Sequence, residues 1–280
     1  MAIAELKEAV TLLIRIPLLW IPGIVGGFFT AILWLTLFVS GAFFTSRLFV
    51  IFVLVLLFFT TGMLSVIRNN EGTVRTLLAG GVNYFFRVLL PLLVIGFSLL
   101  LVFILGAITF ALLGLGSDIG LLTVFLFGIM IPTLMLTYFF DTAAVFEDRR
   151  VFASIQRSIL LVSEHMTEVL SFFVVSALIC AGIFFGLMIV WEALLFDKLK
   201  PIMDFTDAQR EAFTPDQLFA MIGPDGMWIT AIMVFLGILI LLPLLFTYKA
   251  CFFKKIAGSA VIIEQQTYGE YDSKGRWYKY

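Results

Sequence analysis

The sequence predicts an all-α integral membrane protein with six transmembrane helices. They are arranged as three hairpins, each preceded by an amphipathic interfacial helix on the cytoplasmic side. Three observations predict this. The 280 residues are 62% hydrophobic and 13% charged, with a mean hydropathy of +1.12; a soluble domain carries about 45–50% apolar and about 25% charged residues. Six apolar runs reach the ~20 residues that a helix needs to cross a hydrocarbon core. The connections on one side of these runs show helical periodicity instead of turn chemistry.

The runs lie at 18–40, 48–67, 89–114, 121–146, 168–195 and 227–250. They are unbroken, unlike the alternating ten-residue segments of a barrel, so they are read as helices. Lys and Arg set the orientation. One side carries Lys7, Arg15, Arg68, Arg75, Arg87, Arg149, Arg150, Arg157, Lys249, Lys254, Lys255, Lys274, Arg276 and Lys279; the other carries Arg47, Lys198, Lys200 and Arg210. Fourteen against four predicts a multi-pass cell-membrane protein with both termini cytoplasmic. Glu5 and Glu8 occupy the place of a signal peptide's positive region, so no cleavable signal is expected. A net charge of −1 and the juxtamembrane scatter of basic residues predict no nucleic-acid partner. Cys180 and Cys251 should differ in depth by roughly 20 Å at the helical rise, which rules out a disulfide between them.

The connections carry the amphipathic pattern. In "NEGTVRTLLAGGVNYFFR" (70–87), Val74, Leu77, Leu78, Val82 and Phe85 oppose Arg75, Thr76, Asn83 and Arg87. In "RVFASIQRSILLVSEHM" (150–166), Val151, Ile155, Ile159, Val162 and Met166 oppose Arg150, Gln156, Arg157 and Glu164. The N-terminus repeats the pattern more weakly, with Ile3, Leu6, Val10 and Leu13 opposite Glu5, Glu8 and Arg15. Such helices lie in the membrane interface. The chain therefore reads as one polytopic domain over 1–253, built of units 1–67, 68–146 and 147–253, with an outer acidic lid at 196–226 and a cytoplasmic tail at 254–280. Duplication of a stable hairpin explains the repetition, and a site between repeats, as in transporters, is the functional alternative. Arg75, Arg87, Arg150 and Arg157 are the expected contacts to lipid headgroups, and membrane lipids the expected partners.

Asp141 is the acid that the apolar runs least explain. It falls about four residues inside the end of the fourth span, and an intramembrane acid calls for a partner. "TYFFD" after Pro132 and "TYKA" after Pro243 put Asp141 and Lys249 at similar depth. The expectation is a polar cluster of Asp141, Tyr138, Tyr248 and Lys249, in which Asp141 pairs with Lys249 or accepts from Thr137, Tyr138 or Tyr248. Glu147 and Asp148 suit the positive N-terminal end of the third interfacial helix. Glu192, beside Trp191, is shallow enough to reach water.

Pro132 and Pro243 permit kinks. Gly23, Gly26, Gly27, Gly182 and Gly186 suit close helix packing, and Trp20, Trp34, Trp191 and Trp228 suit interface anchors. In the lid, Thr206 with Gln209 and Thr214 with Gln217 match capping boxes, the second with Pro215 at the first helical position. The tail's "AVIIEQQTY" has strand character and "DSKGRW" turn character. His165 is the only histidine, and with the cysteines at other depths no metal-ligand set assembles. Phosphate-cradling and nucleophile-elbow motifs are missing, so neither cofactor nor catalytic residue is predicted.

"FFDTAAVFEDRRVFASIQRSILLV", "AVTLLIRIPLLWIP" and "GGVNYFFRVLL" together resemble a family of archaeal and bacterial six-span membrane proteins. That family includes the membrane segment sometimes fused to glycerophosphodiester phosphodiesterases. The resemblance implies the six-span fold with interfacial helices; the phosphodiesterase catalytic domain has no counterpart here, so it implies no activity. The function expected is that of a non-enzymatic scaffold or subunit of a membrane complex, organising lipids. The alternative is a small-solute transporter or channel with a path near Pro132, Asp141 and Pro243.

Overall fold

A computed structural model describes residues 2–114, 119–206, 209, 212–267, 269–271 and 277–279. The chain is all-α apart from a two-stranded ribbon near its end. The helices are α1 (Ala2–Arg15), α2 (Ile21–Asn69), α3 (Val74–Leu112), α4 (Ile119–Thr137), α5 (Phe140–Phe146), α6 (Val151–Glu164), α7 (Met166–Leu194), α8 (Phe196–Leu199) and α9 (Pro215–Thr267); strands β1 (Gly269–Tyr271) and β2 (Trp277–Lys279) pair antiparallel. Five helical stretches among the described residues are long and apolar enough to cross a membrane.

Two of these helices contain a reversal or break that one residue makes possible. In α2, Gly41 takes φ 73° and ψ 177°, a conformation open to glycine but costly for a residue with a Cβ. The two legs fold back on each other there. The Phe29 and Phe52 rings stack with centroids 5.7 Å apart, where straight helix would separate them by about 35 Å. In α9, Gly223 (φ 64°, ψ −172°) divides a short first helix from the long one that follows. The Lys198 ammonium closes that short helix by donating to the Ile222 carbonyl at 2.7 Å.

Not every connecting helix stands apart as expected. α1 and α6 are separate elements, but the second amphipathic segment runs straight into the third span as one helix, α3, about 58 Å long at the helical rise. Nothing between Arg87 and Pro91 breaks it, and buried Pro91 is accommodated within the helix. Its faces are also reassigned. The side packed against α2 is a seam of Leu77, Gly80, Gly81 and Val88, while Val74, Leu78 and Val82 of the expected apolar face are exposed. On α1 the split is similar: Glu5, Ala9 and Leu13 are buried, and Ile3, Val10 and Ile14 are exposed. Lipid solvates apolar side chains as well as protein does, so close backbone approach decides which face is buried.

Glycines create that approach. A Cβ on Gly23 would lie 2.6 Å from the Leu239 carbonyl oxygen of α9, and one on Gly27 would lie 2.8 Å from that of Phe235. Gly62 and Gly80 bring α2 and α3 together in the same way. Gly182 and Gly186 do not act so: nothing lies within 4 Å of a Cβ at either, and α7 presents them outward.

The buried core gathers at one end of the bundle. Phe139, Phe172, Tyr248, Phe252 and Phe253 form an aromatic cluster, adjoined by Leu19, Met63, Leu64, Leu77, Val145 and Ala250. Towards the other end fewer side chains are buried, and Phe97, Val124 and Leu178 are largely exposed. There Trp191 donates to the Thr230 hydroxyl at 2.8 Å, and Trp34 packs edge-on to Phe38 and Phe219. Both lid capping boxes form: the Thr206 N–H reaches Gln209 at 2.9 Å and the Thr214 N–H reaches Gln217 at 3.0 Å. The side chains of Asp204, Asp207, Glu211 and Asp216 lie outside the described residues. In the tail, 260–267 continues α9 instead of forming a strand, with no Gly or Pro between Gly258 and Gly269 to break it. The expected turn at 272–276 lies outside the described residues.

Replacing Gly23 by Ala should destabilise the α2–α9 pair by about 1–3 kcal/mol, as overpacking does. Gly182→Ala should leave stability unchanged. Thermal unfolding in detergent compares the two, and equal melting temperatures would refute the assignment of the seam.

Candidate functional site

A break in the fourth apolar run, rather than a proline kink, organises the site. Helix α4 passes through Pro132 and ends at Thr137; α5 restarts at Phe140. Breaking a helix frees backbone groups that lipid cannot satisfy. The Ser158 hydroxyl of α6 serves both sides of the gap: it accepts from the Phe139 N–H at 3.0 Å and donates to the Leu136 carbonyl at 2.8 Å. Thr142 adds a bond from its hydroxyl to the Phe139 carbonyl at 3.0 Å.

Just beyond the gap, Asp141 is buried in the first turn of α5. The Lys249 ammonium of α9 approaches both its oxygens, Oδ1 at 2.7 Å and Oδ2 at 2.8 Å. Oδ1 also accepts from the Thr142 N–H at 2.7 Å. The structure thus brings Asp141 and Lys249 together, with Tyr138 as a third member: Lys249 Nζ sits 4.3 Å from the centre of its ring. Tyr248 does not join them. Its ring stacks on Phe172 with centroids 4.6 Å apart, and its buried hydroxyl has no hydrogen-bond partner among the described residues. Neighbouring residues on a helix point about 100° apart, so Lys249 and Tyr248 cannot share a face.

The next two acids tie the chain together over long distances. Glu147 accepts from Arg157 Nε at 3.0 Å and from Arg149 Nε at 3.1 Å. Asp148, in the left-handed region at φ 53°, receives Arg68 Nη2 at 2.6 Å, the Tyr84 hydroxyl at 2.8 Å and Arg87 Nη1 at 3.2 Å. Arg68 also donates to Tyr84 and to the Val145 carbonyl. One carboxylate therefore joins the end of α2, the first half of α3 and the α5–α6 connection. Arg68 is the largest influence on Asp148 and holds its carboxyl below the usual carboxylate range; the Tyr84 hydrogen bond acts in the same direction, against partial desolvation. Nearby, Lys255 pairs with buried Glu5 at 2.6 Å, joining α9 to α1, and Lys254 donates to the Ile67 carbonyl at 3.0 Å.

The arginines expected at lipid headgroups divide into two pairs. Arg157 is buried against Glu147 and Arg87 is engaged by Asp148, because acids in the 147–150 connection turn inward and claim them. Arg75 and Arg150 are exposed, without an ion-pair partner among the described residues. Glu147 and Asp148, expected to cap a helix dipole, bind arginines instead. Sequence spacing pointed to Asp141 and Lys249, but not to Arg68–Asp148 or the Ser158 splint. Only the alternation of acids and arginines where the chain leaves the fourth run hinted at internal pairing. Among the described residues no group of three or more His, Cys, Asp or Glu side chains is placed to hold a metal ion.

Comparison with family models, curated proteins and solved structures finds no match for the chain. The likeness to six-span proteins associated with phosphodiesterases therefore rests on its own motifs.

Two tests follow from this geometry. Asp141→Asn leaves the Lys249 ammonium buried and uncompensated, which should cost about 3–5 kcal/mol of stability, whereas Asp141→Leu with Lys249→Met should recover most of it. Thermal unfolding of the three proteins decides, and an undisturbed Asp141→Asn would show the pair to be dispensable. The second concerns pH. Asp148's folded pKa is depressed, so its contribution is complete above the ordinary carboxylate value of about 4 and is lost as pH falls through the lower folded value. With half-exposed partners this amounts to about 1 kcal/mol or less. Asp148→Asn should flatten the acid side of the stability–pH curve by that amount, and an unaltered curve would contradict the assignment.

Proposed function

We propose that the protein is a non-enzymatic, six-span membrane scaffold, with both termini cytoplasmic, that organises anionic lipid and serves as a subunit of a membrane complex. The observation that carries this reading is how charge is distributed at the polar end. Asp141, Glu147, Asp148 and Glu5 are each committed to a cation of the same chain. That knits the helices into a fixed floor, while Arg75 and Arg150 lie exposed on its surface without an ion-pair partner among the described residues. Basic residues so placed attract anionic lipid at about 1 kcal/mol each. The hairpin reading of the spans is supported by the reversal at Gly41 and by the antiparallel packing of α2 on α3 and α9.

A second reading has one observation of its own. Discontinuous helices with a charged pair beside the gap build ion and substrate sites in transporters, and the Tyr138–Phe139 break beside Asp141–Lys249 has that form. Against it, Ser158 closes the gap and Lys249 occupies the carboxylate.

Spin-labelled lipids in reconstituted membranes measure the preference of the lipid annulus for phosphatidylglycerol over phosphatidylcholine. Arg75→Gln with Arg150→Gln should lower that preference by about fivefold per arginine; no change would remove the scaffold reading's main support. Ion or solute flux through the same membranes, abolished by Asp141→Asn, would favour transport instead.

A further inference from the structure

A second group of cations remains that neither the polar floor nor the surface arginines use. Lys7, Thr11 and Arg15 follow one another at intervals of four on α1, which places them on one face. That face is exposed at Lys7, Thr11 and Arg15. It forms one wall of a cleft of about 680 Å³ whose other wall is Lys254 and Cys251 of α9 and whose end is Asn70. The volume lies within the ~300–1,000 Å³ typical of small-ligand sites.

Its charge is uneven. Lys7, Arg15 and Lys254 face a single carboxylate, Glu8, among the lining residues. Neither Lys7 nor Arg15 has an ion-pair partner among the described residues, and Glu5, the other acid of α1, is turned away and bound to Lys255. Lys254 donates one proton to the Ile67 carbonyl and lies 5.5 Å from the centre of the Phe146 ring, with no ion-pair partner among the described residues. Thr11 donates to the Lys7 carbonyl at 2.8 Å. The donors come from three parts of the chain: the N-terminal helix, the left-handed residue Asn70 that ends α2, and the far end of α9. On α1, the exposed stripe of Ile3, Val10 and Ile14 lies next to this face. A helix with an apolar stripe beside a basic one sits at the boundary of acyl chains and headgroups.

We propose that this cleft binds one phosphate group, held by Lys7, Arg15 and Lys254. Two sources present that chemistry: the headgroup of an anionic phospholipid, with its acyl chains along Ile3, Val10 and Ile14, or a free phosphate compound of the aqueous phase. The inference deepens the lipid-organising reading and rests on its placement of α1 at the membrane surface. It concerns one stoichiometric site, separate from the annular lipids that Arg75 and Arg150 attract.

The full-length protein, purified in a non-ionic detergent, is titrated with phosphatidylglycerol and separately with inorganic phosphate. Native mass spectrometry counts retained lipid and equilibrium dialysis measures bound phosphate. One retained equivalent is expected, with affinity lowered about thirtyfold in Lys7→Gln with Arg15→Gln, the loss of two surface charges. The charge-conserving Lys7→Arg with Arg15→Lys should keep the site and exclude misfolding as the cause. Displacement of the lipid by inorganic phosphate, or phosphate binding alone, supports the site and assigns it to a soluble ligand; retained lipid that phosphate does not displace supports it and assigns it to the headgroup. Arg75→Gln with Arg150→Gln should keep the retained equivalent while losing annular selectivity, so the cleft and the scaffold reading fail separately. Failure of both probes to bind the wild type, or equal affinity in the wild type and the Lys7→Gln, Arg15→Gln variant, overturns the proposal.

Discussion

The pairing of Asp141 with Lys249 is the constraint around which the polar end is built. Neither charge tolerates a low-dielectric site alone, and the two come from helices more than a hundred residues apart in sequence. Pairing them fixes both the depth and the rotation of α5 against α9. The break before α5 follows from the same demand: an unbroken helix through 138–139 would carry Asp141 on the continuation of α4, not on the turned segment that meets α9. Ser158 then makes the break tolerable by bonding both freed backbone groups, which in turn fixes α6 beneath it. Three elements are thus located by one ion pair and one hydroxyl.

Elsewhere the helices are located by a different rule. In water, apolar stripes would choose the contacts between α2, α3 and α9. In lipid they have no such preference, and the contacts go to glycine seams, where backbones approach most closely. This explains why Val74, Leu78 and Val82 lie exposed although their spacing is that of a buried face. It also explains why α7 presents Gly182 and Gly186 to no neighbour, with nothing within 4 Å of a Cβ at either.

What could be read from the sequence follows the same division. The all-α class, the long apolar helices and the Asp141–Lys249 partnership were legible because each rests on local pattern: uninterrupted apolar length, or a motif repeated at matching depth. The lid's capping boxes were legible for the same reason, since Thr and Gln three residues apart satisfy each other's backbone. Contacts set by tertiary geometry were not legible. The meeting of Arg68 with Asp148 depends on where two helix ends converge, and no periodicity encodes that. Periodicity also misled over α3, because a change from amphipathic to wholly apolar character at Arg87 marks a change of solvent, not a break in the backbone.

The charges of the polar end therefore fall into two populations with different physics. Those facing inward are matched one to one, or many to one at Glu147 and Asp148, so their fields largely cancel and they act as fasteners. Lys7, Arg15, Arg75 and Arg150 have no ion-pair partner among the described residues, and an unmatched cation costs little at a membrane surface only when counter-charge is near. The protein could have surrounded these four with its own carboxylates, as it did Arg68, Arg87 and Arg157. On the lipid-organising function proposed above, the balancing charge comes from the surroundings, and anionic headgroups supply it. Internal neutralisation fixes the fold, and the remaining positive charge is what we propose this surface offers to lipid or to a phosphate-bearing ligand.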